Sequence, residues 1–342
     1  MSYEYERVAT PVGGLRLHLN ENTAGCSPAV VEALRALTAV QLAEYPDYDE
    51  AIAATARRLH VGTDSVLLTN GLDEGILVAA MVALRDTANG EAIVVVPAFD
   101  MYAACTDAMG GRVVAIPLDP DFGFPVERVL AAIHERTRII WLTNPNNPTG
   151  QSIPREAIAR IAEAAAGAVV FVDEAYVDFG GATLIGDVLM QQCPRLIVGR
   201  TFAKAYGLAG IRAGALVGQP EIIAALRRVT PPYSINVGAA VALPAAFRDT
   251  AFYDWYLNQV QESKLLLYSA LEKARIVYWK SDANFVLARF EGRCAEVQAR
   301  LAASGIHVRD RSNDPGCSGC LRITAGVVEH TRKVVTALEW LI

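Results

Sequence analysis

Long hydrophobic runs are missing from this chain, which excludes the simplest membrane reading. The apolar stretches around residues 77–84 and 164–172 are too short or too interrupted to span a bilayer. Residues 1–10 carry Glu4, Glu6 and Arg7 and no apolar core, so no secretory signal is expected. Positive charge is not in excess either. The 31 Lys and Arg stand against 37 Asp and Glu, a net charge of −6, which argues against nucleic acid or an anionic membrane as the main partner. Histidine is scarce, with five residues, and the six cysteines are scattered. Only Cys317-Ser-Gly-Cys320 has the spacing of a metal clip, and no second pair of ligands accompanies it, so no metal is expected. There is no internal repeat and no low-complexity tract. What remains is a chain expected in the cytoplasm, 342 residues long and 52% hydrophobic, enough for one large domain with a smaller one appended.

Element order supplies the architecture. Ser27 is placed to cap a helix over 28–39, with Pro28 at its first position. From 45 onward, apolar runs alternate with helical stretches. Strands are predicted over 65–69, 92–96, 112–117, 138–143, 168–172, 195–200 and 213–217, and helices over 73–85, 100–109, 126–134 and 154–166. Runs such as Ile93-Val-Val-Val96 and Ile139-Ile-Trp-Leu142 are apolar throughout, as strands covered on both faces must be. The alternation implies an α/β layer with a mostly parallel sheet flanked by helices. Beyond 237 a long helical region reaches about 275, broken near Phe252-Tyr-Asp-Trp-Tyr256. Strands over 284–290, 305–309 and 321–324 and helices over 294–303 and 329–341 follow. The prediction is a large domain at 41–237, a smaller α+β domain at 238–342, and a segment at 1–40 that packs with the smaller one.

One lysine stands apart. Lys204 lies in Arg200-Thr-Phe-Ala-Lys-Ala-Tyr-Gly-Leu-Ala-Gly-Ile-Arg-Ala-Gly214, among small uncharged residues just after an apolar run. Partial desolvation there favours the free amine that a Schiff base with a carbonyl group requires, although a surface lysine beside a Gly-rich loop reads as well. Asn144-Pro-Asn-Asn-Pro-Thr-Gly150 follows a strand at the edge where open α/β sheets bind ligands, or is an ordinary turn. Asp173, in Val172-Asp-Glu-Ala-Tyr-Val-Asp-Phe179, is either a helix N-cap or a buried carboxylate that keeps a heterocyclic nitrogen protonated, with Tyr176 on the same side. Thr69-Asn-Gly-Leu-Asp-Glu74 opens a helix. Gly71, Leu72 and Asp73 can therefore aim amides at a phosphate, with Thr201 and Arg212 adding a hydroxyl and a guanidinium fork.

Taken together, these motifs resemble those of the fold-type I pyridoxal-phosphate aminotransferases, most closely the histidinol-phosphate aminotransferase branch. The likeness is carried, in order, by Leu19-Asn-Glu-Asn22, Tyr45-Pro-Asp47, Gly71-Leu-Asp-Glu74, Pro97-Ala-Phe99 with Tyr102, and the motifs at 144–150, 172–179 and 200–214. Pro231-Pro-Tyr-Ser-Ile-Asn236, Asn284-Phe285 and Leu321-Arg-Ile-Thr324 complete it. The resemblance implies an aspartate-aminotransferase-like fold whose large domain holds a mostly parallel, seven-stranded-type sheet. It also implies roles. Lys204 would hold pyridoxal 5'-phosphate and shuttle a proton, and Asp173 would pair with the pyridine nitrogen. Tyr176 and Asn147 would bond the phenolate oxygen, and Phe99 would stack on the ring. Gly71, Leu72, Asp73, Thr201 and Arg212 would hold the phosphate. Tyr45 would reach in from the partner subunit of a homodimer. Arg322, with Asn22 and Tyr233, would bind the substrate's anionic end, and Arg309 or Arg311 is the candidate second cation. Tyr3, Tyr5 and Tyr102 are candidates for a side-chain pocket.

The implied reaction moves an amino group from histidinol phosphate to 2-oxoglutarate. An aromatic amino-acid donor, or decarboxylation of the threonine-phosphate type, stays open. Four positions depart from the usual pattern: Leu72 lacks the expected hydroxyl, Ala203 replaces Ser, Phe99 replaces Tyr and Cys26 replaces Pro.

Overall fold

The computed structural model describes residues 11–341 apart from 12, 86, 88 and 166, so Tyr3 and Tyr5 lie outside the described residues. Its strands, in chain order, are β1 (Leu15–Leu17), β2 (Val66–Thr69), β3 (Glu91–Val96), β4 (Arg112–Pro117), β5 (Thr137–Thr143) and β6 (Val169–Asp173). They continue with β7 (Leu196–Thr201), β8 (Gly214–Val217), β9 (Val277–Tyr278), β10 (Phe285–Arg289), β11 (Ile306–Asp310) and β12 (Cys320–Thr324). One sheet has seven strands in the order β2-β8-β7-β6-β5-β3-β4. Every neighbouring pair in it is parallel except those made by β8, which runs against both β2 and β7.

The apolar strand runs are explained by burial on two faces. Alternate side chains of a strand point to opposite sides. Ile139 and Trp141 of β5 thus pack with Ile76 and Ala79 of the helix Leu72–Leu84. Ile140 and Leu142 pack on the other side with Ile158 and Ile161 of the helix Arg155–Ala164. The predicted strands of this sheet fall where the structure has them, within a residue or two.

A second sheet has the order β1-β11-β12-β10-β9. Here β1 pairs in parallel with β11, Leu15 opposite Ile306, so residues 15–17 join strands from the far end of the chain. Among the described residues, no helix is long and apolar enough to cross a membrane.

Two helical expectations need correction. The helix predicted over 28–39 ends at Arg35 after the expected Ser27 cap, and a separate short helix, Ala39–Ala43, begins beyond it. Thr38 restarts the helix because its hydroxyl and the Gln41 side chain cap one another's backbone amides. The break in the long helical region lies at Asp249, not at the aromatic cluster. Asp249 ends Val237–Arg248 and then caps Thr250–Lys273, its carboxylate accepting from the Phe252 amide at 3.1 Å. The cluster sits inside the second helix, with Tyr256 turned fully inward.

A buried charge cluster ties β7 to the turn after β6. Arg200 donates to Asp178 at 2.6 Å and to Glu174 at 3.3 Å, and Tyr253 adds its hydroxyl to Asp178 at 2.9 Å. Glu174 is fully buried, and burial pushes its carboxyl up while Arg200 works against that shift. Arg200→Leu would strand these carboxylates without a cation. It is expected to cost about 3–5 kcal/mol in urea unfolding of the cofactor-free protein. A loss below about 1 kcal/mol, the size of an exposed pair, would show that the cluster is not desolvated.

Candidate active site

Parallel β5, β6 and β7 end on one edge of the sheet, and antiparallel β8 begins there. Register sets Thr143 beside Asp173, Asp173 beside Gly199, and Gly214 between Thr201 and Thr69. A cavity of about 200 Å³ opens at this edge, and its lining includes Leu72, Asp73, Phe99, Asn147, Asp173, Tyr176, Thr201, Lys204 and Arg212. These nine residues singled out in the sequence, and Tyr102 with them, therefore converge on one space.

Asp173 forms its floor and is 4% exposed. One carboxylate oxygen accepts from the Tyr102 hydroxyl at 2.6 Å and the other from the Ala175 amide at 2.9 Å. Burial dominates its titration and lifts the carboxyl from 3.8 to about 6, against the pull of those two donors and of Lys204. No α-helix follows directly. The Ala175 contact closes a turn, so Asp173 does not cap a helix.

Lys204 is half-buried. Its ammonium donates to the Leu19 carbonyl at 3.0 Å and stands 5.9 Å from the centre of the Tyr176 ring. The Tyr176 hydroxyl accepts from the Asn20 amide at 3.1 Å, and its ring meets Phe285 edge to face at 5.1 Å. Asn20 is in turn locked by Thr324 and Asn284.

At the other end of the cavity, the backbone has been stripped of side chains. Gly71 precedes the helix Leu72–Leu84 at φ +75°, and a Cβ there would stand 2.3 Å from an Arg212 nitrogen. A Cβ on Gly214 would stand 2.8 Å from the Leu72 amide nitrogen. The helix start can thus present bare amides to an anion. Arg212 lies beside it, donating to Asp73 at 2.9 Å and to the Ala209 carbonyl at 3.2 Å. Leu72 itself turns its side chain into the core over Gly199, where a Cβ would come within 2.8 Å of it. Its missing hydroxyl is a packing choice, and its amide stays available. A molecule with a phosphate at one end and a protonated ring nitrogen at the other fits this cavity. The bare helix start takes the first, and Asp173, which makes no ion pair among the described residues, takes the second.

Arg322, on β12, reaches the same place from the second sheet. It donates to the Asn147 side chain and, at 2.6 Å, to the His18 carbonyl, while its Nε has no partner among the described residues. Burial lowers its titration to about 10, which still leaves it charged at neutral pH.

Other expected residues are elsewhere. Asn22 is buried and spends its amide on the Ala205 carbonyl at 3.0 Å and its oxygen on the Ala24 amide, so it braces the lysine loop. Tyr45 and Tyr233 lie outside the cavity and stack on each other at 4.2 Å, 76% and 55% exposed. Tyr102, expected to line a pocket, is among the residues that line this cavity. It is fully buried beneath Asp173, accepting from Thr143 at 3.0 Å and stacked on Trp141 at 5.2 Å. Its role under Asp173 and that of Asn20 behind Tyr176 were not read from the sequence, although Leu19-Asn-Glu-Asn22 and Phe99 with Tyr102 were conspicuous there.

This fold and cavity define a fold-type I, pyridoxal-phosphate-dependent transaminase. Residues 13–338 match the model of the family "aminotransferase class I and II", and the chain belongs to that family. It is 34% identical to histidinol-phosphate aminotransferase 1 of Cupriavidus pinatubonensis, over 96% of this chain and 88% of that protein. It is 35% identical to the histidinol-phosphate aminotransferase of Limosilactobacillus fermentum, over 95% of this chain and 91% of that one. Its fold matches, with a TM-score of 0.84, the crystal structure of histidinol-phosphate aminotransferase from Sinorhizobium meliloti in complex with pyridoxal-5'-phosphate, at 24% identity over 96% of this chain and 90% of that one.

The raised carboxyl has a measurable sign. Unfolding returns Asp173 from about 6 to 3.8, so between those values the folded protein holds a proton that the unfolded chain has released. Stability of the cofactor-free protein therefore falls through this group as pH rises from about 4 to about 6, by on the order of 3 kcal/mol, and stays lowered above that window. Asp173→Asn should remove that slope in urea unfolding at a series of pH values. An identical slope in the variant would refute the burial argument.

Proposed function

We propose that this enzyme transfers the amino group of histidinol phosphate to 2-oxoglutarate. The observation that carries the reading is a pair of arginines: Arg309 of β11 stands directly opposite Arg322 of β12. Opposed residues on antiparallel strands share a face, so two guanidinium groups face one region, and one of them is bonded to Asn147 at the cavity. Guanidinium groups on that face suit an anionic guest by their planar, forked donors. Histidinol phosphate has no α-carboxylate, and its anionic end is a phosphate; glutamate would bring a carboxylate to the same place. Arg311, engaged by Asp314 at 2.5 Å, is the other candidate for a second cation. The names of the two curated relatives support the same donor.

Pyridoxal phosphate supplies, when bound, a protonated ring that withdraws electron density from the substrate's α-carbon. The chain's own groups then have distinct duties. Asp173 keeps the ring nitrogen protonated. Tyr102 and the Ala175 amide hold that carboxylate in line. Tyr176, braced by Asn20, and Asn147, braced by Arg322, fix the position of the ring oxygen, and Phe99 covers a ring face. The Leu72 and Asp73 amides, the Thr201 hydroxyl and Arg212 hold the phosphate, with Gly71 leaving them room. Lys204, once its Nζ leaves the Leu19 carbonyl, anchors the cofactor and then takes and returns the α-proton.

The exposed stack of Tyr45 on Tyr233 belongs to this reading as well. We infer a C2 homodimer in which Tyr45 completes the partner's cavity, with Tyr233 and Asn22 shaping the approach of substrate. The division into a large unit at 41–237 and a smaller one at 238–342 joined by residues 1–40, and a cytoplasmic location, are parts of the same proposal.

Lys204→Ala should abolish the visible absorption band of the purified protein and its bleaching by borohydride, and lower turnover by on the order of 10³-fold or more. A variant that kept a reducible band would overturn the assignment. The donor is tested by mixing holoenzyme with histidinol phosphate, phenylalanine, tyrosine or threonine phosphate and following loss of that band. Histidinol phosphate is expected to react fastest. Arg309→Gln should raise its KM about tenfold or more while leaving phenylalanine little changed. A faster aromatic donor, or release of carbon dioxide from threonine phosphate, would replace this reading with another.

A further inference from the structure

Cys317 and Cys320, set apart by their spacing and unused by transamination, are free thiols with no exposed surface. The chain turns back between them. The Cys317 carbonyl accepts from the Cys320 amide at 2.9 Å, the mark of a four-residue turn whose ends lie within about 7 Å. That span is close to what a disulfide bridges without backbone movement. The turn is seated firmly. Gly316 and Gly319 take φ of +76° and +68°, and a Cβ on Gly319 would stand 2.7 Å from the Glu291 Cα.

The surroundings of the two sulfurs differ. The Cys320 thiol points to the Ser318 carbonyl at 3.7 Å, and Arg289, which stands opposite Cys320 across β10 and β12, donates to the Gly316 carbonyl at 2.8 Å. The neighbouring Cys317 thiol and the Arg289 guanidinium lower the Cys320 thiol, whereas Cys320 and burial push Cys317 up. Phe122, Trp279 and Leu287 close the rest of the pocket. Overhead, Asn313, Pro315, Gly316 and Ser318 are exposed, so the sulfurs lie beneath one layer of loop. Two buried thiols at the ends of one tight turn, one of them favoured as thiolate by a nearby cation, form the reduced half of a dithiol couple.

We infer that Cys317 and Cys320 are a redox modification site that closes reversibly to a disulfide in exchange with a small disulfide of the glutathione type. The Cys320 thiolate attacks one sulfur of that oxidant and releases one thiol. Cys317 then gives its proton to solvent, attacks the Cys320 sulfur, forms the Sγ–Sγ bond and releases the second thiol. One disulfide bond is consumed and one is formed, and the chain loses two S–H bonds. The site bears on the anion-binding strand, because Cys320 begins β12 and shares a face with Arg322 two residues on.

Holoenzyme would be equilibrated in glutathione buffers of rising oxidised fraction, then denatured, alkylated and mapped by mass spectrometry. Both sulfurs are expected to lose alkylation together and to regain it with dithiothreitol. Cys317→Ser and Cys320→Ser, shown to be folded by their retained cofactor band, should each abolish the paired loss. Full alkylation at the oxidising limit, a lasting glutathione adduct on Cys320, or a bond mapped to the nearby Cys294 would each overturn the inference. None of these outcomes depends on which amine the enzyme accepts.

Discussion

Asp173 ends a strand that is itself covered on both faces, and a carboxylate in that position is costly unless something positive meets it. Among the described residues its hydrogen-bond donors are neutral, the Tyr102 hydroxyl and the Ala175 amide, and the carboxyl responds by rising to about 6. Tyr102 cannot move away, because Thr143 holds its oxygen and Trp141 its ring. A cationic ring nitrogen removes the cost. The protein therefore keeps an unpaid debt at the floor of its cavity, and the cofactor discharges it by supplying the missing charge.

Around that floor, the working groups are positioned by contacts between chain segments far apart in sequence. Lys204 rests on the Leu19 carbonyl, Tyr176 on Asn20, and Asn147 on Arg322. Gly207, at φ +71°, presses so close to Gly25 that a Cβ there would stand 2.2 Å from its carbonyl oxygen, which locks the lysine loop against the segment containing Cys26. Ala203, where a hydroxyl was expected, donates its amide to Thr201 instead, so the loop keeps a local tie without that side chain.

Much of this was legible in the chain. Continuous apolar runs predicted strands covered twice over, because only both-face burial lets a strand dispense with polar alternation. Lys204, Asp173, Asn147 and Arg212 were visible as chemical oddities at strand ends. Where the reading failed, local signals competed. Thr38 and Asp249 are small cap-forming residues inside stretches that otherwise read as helix, and their side chains ended one helix and began another. Tyr102 was read as pocket lining and does line the cavity, but nothing in its spacing marked that its hydroxyl would hold Asp173.

By itself, then, the sequence determined the strand and helix order, the edge where reactive residues gather, and the glycines that a bare helix start requires. These follow from short-range rules: side-chain periodicity, turn chemistry and the room a missing Cβ leaves. Only the tertiary structure decided that Asp173 lacks a charged partner, that Tyr102 and Asn20 stand behind the acid and the phenol, and that Asn22 braces a loop. It also decided that Arg309 faces Arg322 and that two buried cysteines close one turn beside Arg289. Each of those depends on which distant segments share a face or a register, and pairing across a sheet leaves no trace in the spacing of either strand alone.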